Sequence, residues 1–429
     1  MIATGHSART NRRTTELGLV LLAAVLTAAA YTLVSLGRTA SLPANVGPFF
    51  VIVLGLLGLA HVGTRRFAPD ADPVILPIAL LLNGIGYVFV ARLNANLAGL
   101  QATWTALGVG AFIGTLMVVR RVADLERYRY LFALVGIGLL LMPLVPMVGR
   151  NINGARIWVR LGPVSFQPGE FAKIALAVFF ASYLVERREL LADVRVNAGQ
   201  LRYLGPLLLA WGFSIVVMVA ERDLGSSMLF FALFVTMVWV ATGRAFYLGA
   251  GAVMFAAGSF FSVSMFAHVK ERVVVWIDPW SRAANQGFQL VQAQFALAAG
   301  GFAGAGLGLG SPQKMPAAET DLIFAVIGEE LGLLGTTAVL IAFVLLIGAG
   351  LRIAIRANRP FEQLLAAGLT TAIGVQAFII IGGVTRLVPL TGVTLPFVSY
   401  GGSSLLGSYV LLALLMRISD GSTEPVAES

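Results

Sequence analysis

Apolar runs, each about as long as a bilayer core is thick, follow one another from residue 17 almost to the C-terminus. A membrane-crossing helix needs roughly 20 mostly apolar residues. The pattern predicts twelve spans: 17–35, 47–63, 73–91, 103–120, 130–149, 168–186, 204–220, 224–242, 245–267, 322–350, 363–385 and 398–416. The runs are long and do not alternate with period two, so strands are not expected. The expected fold is an all-α polytopic membrane protein of about 12 transmembrane helices. A cytoplasmic tail (1–16) precedes a single transmembrane domain (17–418), and a second cytoplasmic tail (419–429) follows it. The N-terminal residues run straight into a full-length span, with no short apolar core and small-residue cleavage site.

The polar positions between the runs set the orientation. With the N-terminus placed inside, the short inner segments hold 18 Arg and Lys residues and the outer ones 11. Four of those 11 lie in one long loop, where charge counting has little force. Both termini are therefore expected in the cytoplasm. Two outer segments stand out. RNINGARIWVRLGPVSFQ (150–167) is short yet carries Arg150, Arg156 and Arg160. The loop of 267–320 is by far the longest connection, and long connections in a compact fold are usually functional. It contains an amphipathic stretch, QGFQLVQAQFALAAGG, suited to the membrane interface. Function is expected at the outer face.

Composition narrows the chemistry. Hydrophobic residues make up 58% of the chain and charged residues 12%, which no water-soluble protein of this length could bury. There is no cysteine, which excludes disulfides, thiolate metal sites and a cysteine nucleophile. Three scattered histidines argue against a histidine-built metal centre. The net charge of +9 rests on arginines at span ends rather than on a basic stripe, so no nucleic-acid partner is expected.

Ionisable groups inside spans need a reason. Glu170 and Lys173 (QPGEFAK) are three residues apart, on one helix face, where they can pair as a structural ion pair or line a substrate cavity. Asp223 (ERDLGSS) sits where a helix N-cap belongs. Glu329 and Glu330 (IGEELG) point about 100° apart on a helix, so at least one must meet a cavity or a cation. Asp321 marks the outer end of that span. The entrance to the last span, PLTGVTLPFVSYGGSSLL, is broken by prolines and glycines and rich in hydroxyls, and irregular backbone at this depth belongs beside a cavity or inside protein. GAGLGLG (304–310) lacks a preceding strand and a Lys-Ser/Thr, so it reads as a turn rather than a nucleotide loop.

Taken in order, NGARIWVRLGPVSFQPGEFAKI, ERDLGSS, GFQLVQAQFALAAGG, PAAETDLIFAVIGEELGLLG and PLTGVTLPFVSYGGSSLL resemble the SEDS family (RodA, FtsW and SpoVE) from about residue 130 to 417. Within it, the actinobacterial RodA branch is most similar. The resemblance implies a peptidoglycan glycosyltransferase in the bacterial cytoplasmic membrane. It would polymerise lipid II at the outer face, beside a class B penicillin-binding protein. It places substrate contacts at Glu170, Lys173, Asp223, Asp321, Ser399 and Ser403. Such chemistry needs a base for the acceptor hydroxyl and cations for the departing pyrophosphate. Arg156, Arg160 and Lys173 suit the second need, together with a divalent metal ion (Mg or Mn).

One position departs from the family. Its loop pattern N/D-P-W/F-x-D-P-x-G-x-G-Y-Q stands here as DPWSRAANQGFQ, Asp278 to Gln289. The family's acid falls on Arg282, which cannot act as a base. Asp278, four residues upstream, is the substitute candidate for the catalytic carboxylate, and a turn cap is its alternative role. Three readings stay open: another acid substitutes, the chain is a degenerate scaffold or regulator of a penicillin-binding protein, or it transports lipid II.

Overall fold

The computed structural model describes residues 2–41, 46–146, 148–152, 155–161, 164–192 and 219–422, with 205, 208–209, 211–212 and 215–217 between them. Among them ten helices are long and apolar enough to cross a membrane. The helices are α1 (Ile2–Thr39), α2 (Val46–Phe67), α3 (Ile75–Leu93), α4 (Ala95–Val118), α5 (Arg129–Leu141), α6 (Gly169–Ala192), α7 (Leu224–Thr242), α8 (Phe246–Met265), α9 (Ala267–Ile277), α10 (Phe288–Gly300), α11 (Ile323–Arg356), α12 (Pro360–Val384) and α13 (Gly402–Gly421). The expected span 204–220 falls for the most part outside the described residues.

Local chemistry explains where the helices differ from the expected spans. α4 starts eight residues before the expected 103, because the Asn94 side chain accepts from the Asn96 amide at 3.0 Å and caps it. α5 stops at Leu141, ahead of the expected 149, where Pro143 enters a 3₁₀ turn. The arginine-rich segment 150–167, a loop by pattern, contains a small antiparallel sheet in the order β1 (Gly149–Ile152), β2 (Ala155–Leu161), β3 (Val164–Phe166).

The chain divides into two compact units. The first comprises residues 1–120, 274–349 and 377–425. In it α13 packs on α4 and α3, and α1 packs on α3 and α2. Tyr31, Phe49 and Tyr87 stack across α1, α2 and α3, with centroids 4.0 and 5.1 Å apart. Glu16 is wholly buried and holds His61 at 2.8 Å and Arg65, stapling α1 to α2. Arg417 of α13 donates to the carbonyls of Phe67, Leu116 and Val119, which lie at the ends of α2 and α4.

The second unit comprises residues 121–273 and 350–376, and its four terminal residues lie outside the described set. Its centre is α6, buried without interruption from Ala172 to Leu184 and packed against α5 and α7. A helix that is apolar all round is a core helix. Hence the two charges in its first turn must be paired where they stand.

Candidate functional site

The second unit gathers about half of the polar residues that the sequence singled out. Glu170 and Lys173, 6% and 3% exposed, are 2.5 Å apart. The ammonium also donates to the Gln376 side-chain oxygen of α12 at 2.7 Å. The helical i,i+3 spacing predicted the pair, whereas Gln376 lies 203 residues away and carried no signal. The two charges thus satisfy each other inside protein, as low dielectric demands.

Asp223 caps α7. Its carboxylate accepts from the Ser226 amide at 3.0 Å and the Ser226 hydroxyl at 2.5 Å. Burial pushes its pKa up, against the Ser226 hydrogen bonds and the Arg272 guanidinium, while Glu170 adds to the rise. Two residues earlier stands Glu221, 4% exposed, which the sequence reading did not single out. Its Oε1 is buried without a hydrogen-bond partner among the described residues. Arg222 between them has φ 62°, a left-handed conformation that non-glycine residues rarely adopt. The Arg156 amide of β2 donates to the Glu221 carbonyl at 3.0 Å and joins the sheet to this turn.

Side chains alternate across a strand, so Arg156, Trp158 and Arg160 share one face of β2. Arg150 stands opposite Trp158 on β1 and joins that face. Three guanidiniums around one indole therefore project from one side of the sheet, while Val159 on the other side is fully buried. An oriented set of arginines is a natural binder of phosphate oxygens.

The first unit holds the remaining candidates. Asp278 is exposed, and its Oδ1 accepts from the amides of Trp280 (3.2 Å) and Ser281 (3.3 Å). It caps the 3₁₀ turn Trp280–Arg282. Hydrogen bonds from Ser281 hold its pKa below the usual carboxylate value, helped by the Trp280 amide and the charge of Arg386. Among the described residues no ion pair joins Arg282 to Asp278. The guanidinium that acts on the carboxylate belongs to Arg386, beyond α12.

Asp321 ends the connection ahead of α11, and its amide donates to the Ala317 carbonyl at 3.1 Å. Ser399 donates to the Thr320 carbonyl at 2.6 Å and accepts from the Leu395 amide at 2.9 Å. It therefore ties the irregular segment before α13 to the start of α11. Ser403 is 2% exposed in the first turn of α13. Glu330 meets Arg92 at 3.1 Å and accepts from the Gly308 amide at 2.8 Å, while Glu329 accepts from the Ser311 amide at 2.8 Å. Gly308 within the GAGLGLG turn and Ser311 just after it thus offer their backbone amides to two protein carboxylates.

Among the described residues no three His, Asp or Glu side chains are grouped to hold a metal ion.

A family model for FtsW, RodA and SpoVE, described as cell cycle protein, matches residues 75–424. The chain is 43% identical to peptidoglycan glycosyltransferase RodA of Mycobacterium tuberculosis, over 97% of its own length and 92% of that protein. It is 35% identical to a probable peptidoglycan glycosyltransferase FtsW of Nitrosococcus halophilus, over 82% of its length and 92% of the relative. Among solved structures, it superposes with TM-score 0.70 and 26% identity on a chain of a peptidoglycan synthase complex that coordinates polymerization and crosslinking. That match covers 83% of this chain and 99% of the other.

Proposed function

The chain belongs to the FtsW/RodA/SpoVE family, and from that premise we propose that it is a multi-pass glycosyltransferase of the cytoplasmic membrane that polymerises lipid II into peptidoglycan. The observation that carries the reading is a likeness to a mycobacterial RodA along nearly the whole chain. The reaction joins an acceptor sugar hydroxyl to the anomeric carbon of the donor. The hydroxyl oxygen forms the new glycosidic bond, the bond from that carbon to pyrophosphate breaks, and undecaprenyl pyrophosphate leaves. The hydroxyl proton passes to a carboxylate. The arginine face of Arg150, Arg156 and Arg160 supports binding of the pyrophosphate, whose growing charge a guanidinium stabilises. Glu170, Lys173 and Asp223 supply a buried polar platform in the same unit. Asp321, Ser399 and Ser403 border the first unit's irregular segment.

The reading places this chemistry on the outer membrane face and adds a class B penicillin-binding protein as the crosslinking partner. That addition follows from the structural neighbour, a complex that couples polymerization to crosslinking. The purified chain with such a partner is expected to polymerise lipid II in a gel-based glycan assay. Arg282 favours a second reading, a scaffold for the transpeptidase that no longer polymerises. An inert wild type whose Arg282→Asp variant alone makes glycan would establish the scaffold. An active wild type that loses activity on Asp278→Ala would make Asp278 the base.

A further inference from the structure

The base is the unresolved part of this chemistry, because the family's acid position holds Arg282 and Asp278 is occupied with its turn. A proton acceptor must have an oxygen that the fold has not already committed. Asp278 commits one carboxylate oxygen to two backbone amides and stands exposed, held as an anion of low basicity. Asp223 commits both oxygens to Ser226. Glu170 is closed by Lys173, and Glu330 by the Gly308 amide and Arg92. Glu329 gives Oε1 to the Ser311 amide and keeps a buried Oε2 without a partner among the described residues, but it stands on α11 in the first unit, whereas the arginine face belongs to the second.

Glu221 adds to such an oxygen a place in the same unit as the arginine face. It is 4% exposed and has a buried oxygen with no partner among the described residues. The backbone around it is fixed from both sides. The Glu221 amide donates to the Val217 carbonyl at 2.9 Å, and its own carbonyl accepts from Arg156 at 3.0 Å. The left-handed turn at Arg222 then separates Glu221 from Asp223. A non-glycine residue in that conformation costs about 1–3 kcal/mol and persists at places where the surroundings demand it. The same turn is joined through Arg156 to the sheet that carries the arginine face.

We propose that Glu221 is the carboxylate that takes the proton from the acceptor sugar hydroxyl as that oxygen attacks the anomeric carbon of the donor. The proposal rests on the glycosyltransferase reading above. The proton ends on Glu221 and the electron pair of the broken bond leaves with the pyrophosphate, so charge and atoms balance. Burial, and then the negative charge of Asp223, push the Glu221 pKa up to about 8. The charged groups around this turn are Arg222 and Asp223. Arg272 and Glu170 act in turn on Asp223, and Arg222 and Arg272 act on His268. A base needs its deprotonated form, so turnover rises with pH and levels off above about 8. A carboxylate of ordinary pKa would give no such limb.

The test is lipid II polymerisation by the full chain with its transpeptidase partner, followed from pH 6 to 9.5. The wild type is expected to show the limb near 8. Glu221→Gln is expected to lower turnover roughly 10²–10⁴-fold with little change in the half-saturating lipid II concentration, and to lose the limb. Glu221→Asp should recover part of the rate. If Glu221→Gln polymerises at the wild-type rate with the limb intact, the proposal is wrong while the glycosyltransferase reading stands. If Glu221→Gln fails to fold, the wild-type profile decides, and a profile flat between 7 and 9 overturns the assignment. A wild type that makes no glycan at any pH overturns both.

Discussion

Trp276 and Arg386 hold each other twice. The indole Nε1 donates to the Arg386 carbonyl at 3.0 Å, and the Arg386 guanidinium donates back to the Trp276 carbonyl at 3.3 Å and to that of Ile277 at 3.1 Å. This exchange closes the C-terminal end of α9 against the residues that follow α12, and Gln294 of α10 reinforces it by donating to the Val384 carbonyl at 2.8 Å. The long connection, read from the sequence as a loop with an amphipathic stretch, is pinned at this point.

Arg386 makes these bonds from a left-handed backbone, φ 63°, where glycine would be the ordinary choice after a helix. Two effects can be separated by two substitutions. Arg386→Ala loses the guanidinium and keeps the strain, whereas Arg386→Gly loses the guanidinium and relieves roughly 1 kcal/mol of strain. Thermal unfolding in detergent should rank wild type above Arg386→Gly, and Arg386→Gly above Arg386→Ala. An Ala variant as stable as wild type would show that the latch contributes nothing.

Gly332 breaks α11 with φ 65°. A Cβ there would lie 2.3 Å from the Gly304 nitrogen and 2.6 Å from the Phe302 oxygen, both backbone atoms that cannot rotate away. The break lets Ala305 and Gly306 donate to the Glu329 and Glu330 carbonyls at 2.8 and 3.0 Å. Gly332→Ala should therefore destabilise the protein by more than about 2 kcal/mol, since the strained φ and the clash add. It should also open the glycine turn to hydrogen exchange. Unchanged exchange at 304–310 would sink this account.

How much of this was legible follows from what each signal depends on. The spans depend on local hydropathy, and among the described residues ten helices are long and apolar enough to cross a membrane, while the expected span 204–220 falls mostly outside them. Glu170 with Lys173, and the Asp223 cap, depend on spacings of three residues and were visible for that reason. The sheet was partly legible, because Arg-Ile-Trp-Val-Arg alternates, but three short strands between membrane helices give too brief a pattern to outweigh the surrounding runs. Glu221 stood one residue past an expected span end, where a charged residue looks ordinary. The left-handed Arg222 together with an oxygen that has no partner among the described residues marks it out. Gln376, Arg386 and the Arg92–Glu330 pair join positions roughly a hundred or more residues apart, a distance across which a single sequence carries no signal.

Orientation rests on the excess of positive charge in alternate loops. The chain has no cysteine, so a single introduced thiol reports without background. A cysteine replacing Leu190, near the charged end of α6, is expected to resist a membrane-impermeant maleimide in intact cells and to react once the cells are opened. Labelling in intact cells would reverse the topology and move the proposed site to the inner face.

The Glu170–Lys173 pair supplies the sharpest test of the second unit. Both groups are buried, the ammonium divides its hydrogen bonds between Glu170 and Gln376, and α6 is packed on every side beyond them. Taking two charges out of water is expensive, and the pair holds only because each neutralises the other. Lys173→Met leaves a carboxylate in the core with no cation, and by analogy with broken buried pairs should destabilise by on the order of 3–5 kcal/mol. Glu170→Gln with Lys173→Met removes both charges and keeps the volumes, so most of that loss should return. Lipid II polymerisation separates structure from chemistry. If the double variant regains both its melting temperature and its glycan synthesis, the pair is a structural clasp. If it regains the melting temperature and stays inert, the charges serve the substrate, as the proposed site requires. A single Lys173→Met variant as stable as the wild type would mean that the pair is not buried in the native protein, and the core position of the first turn of α6 would have to be abandoned.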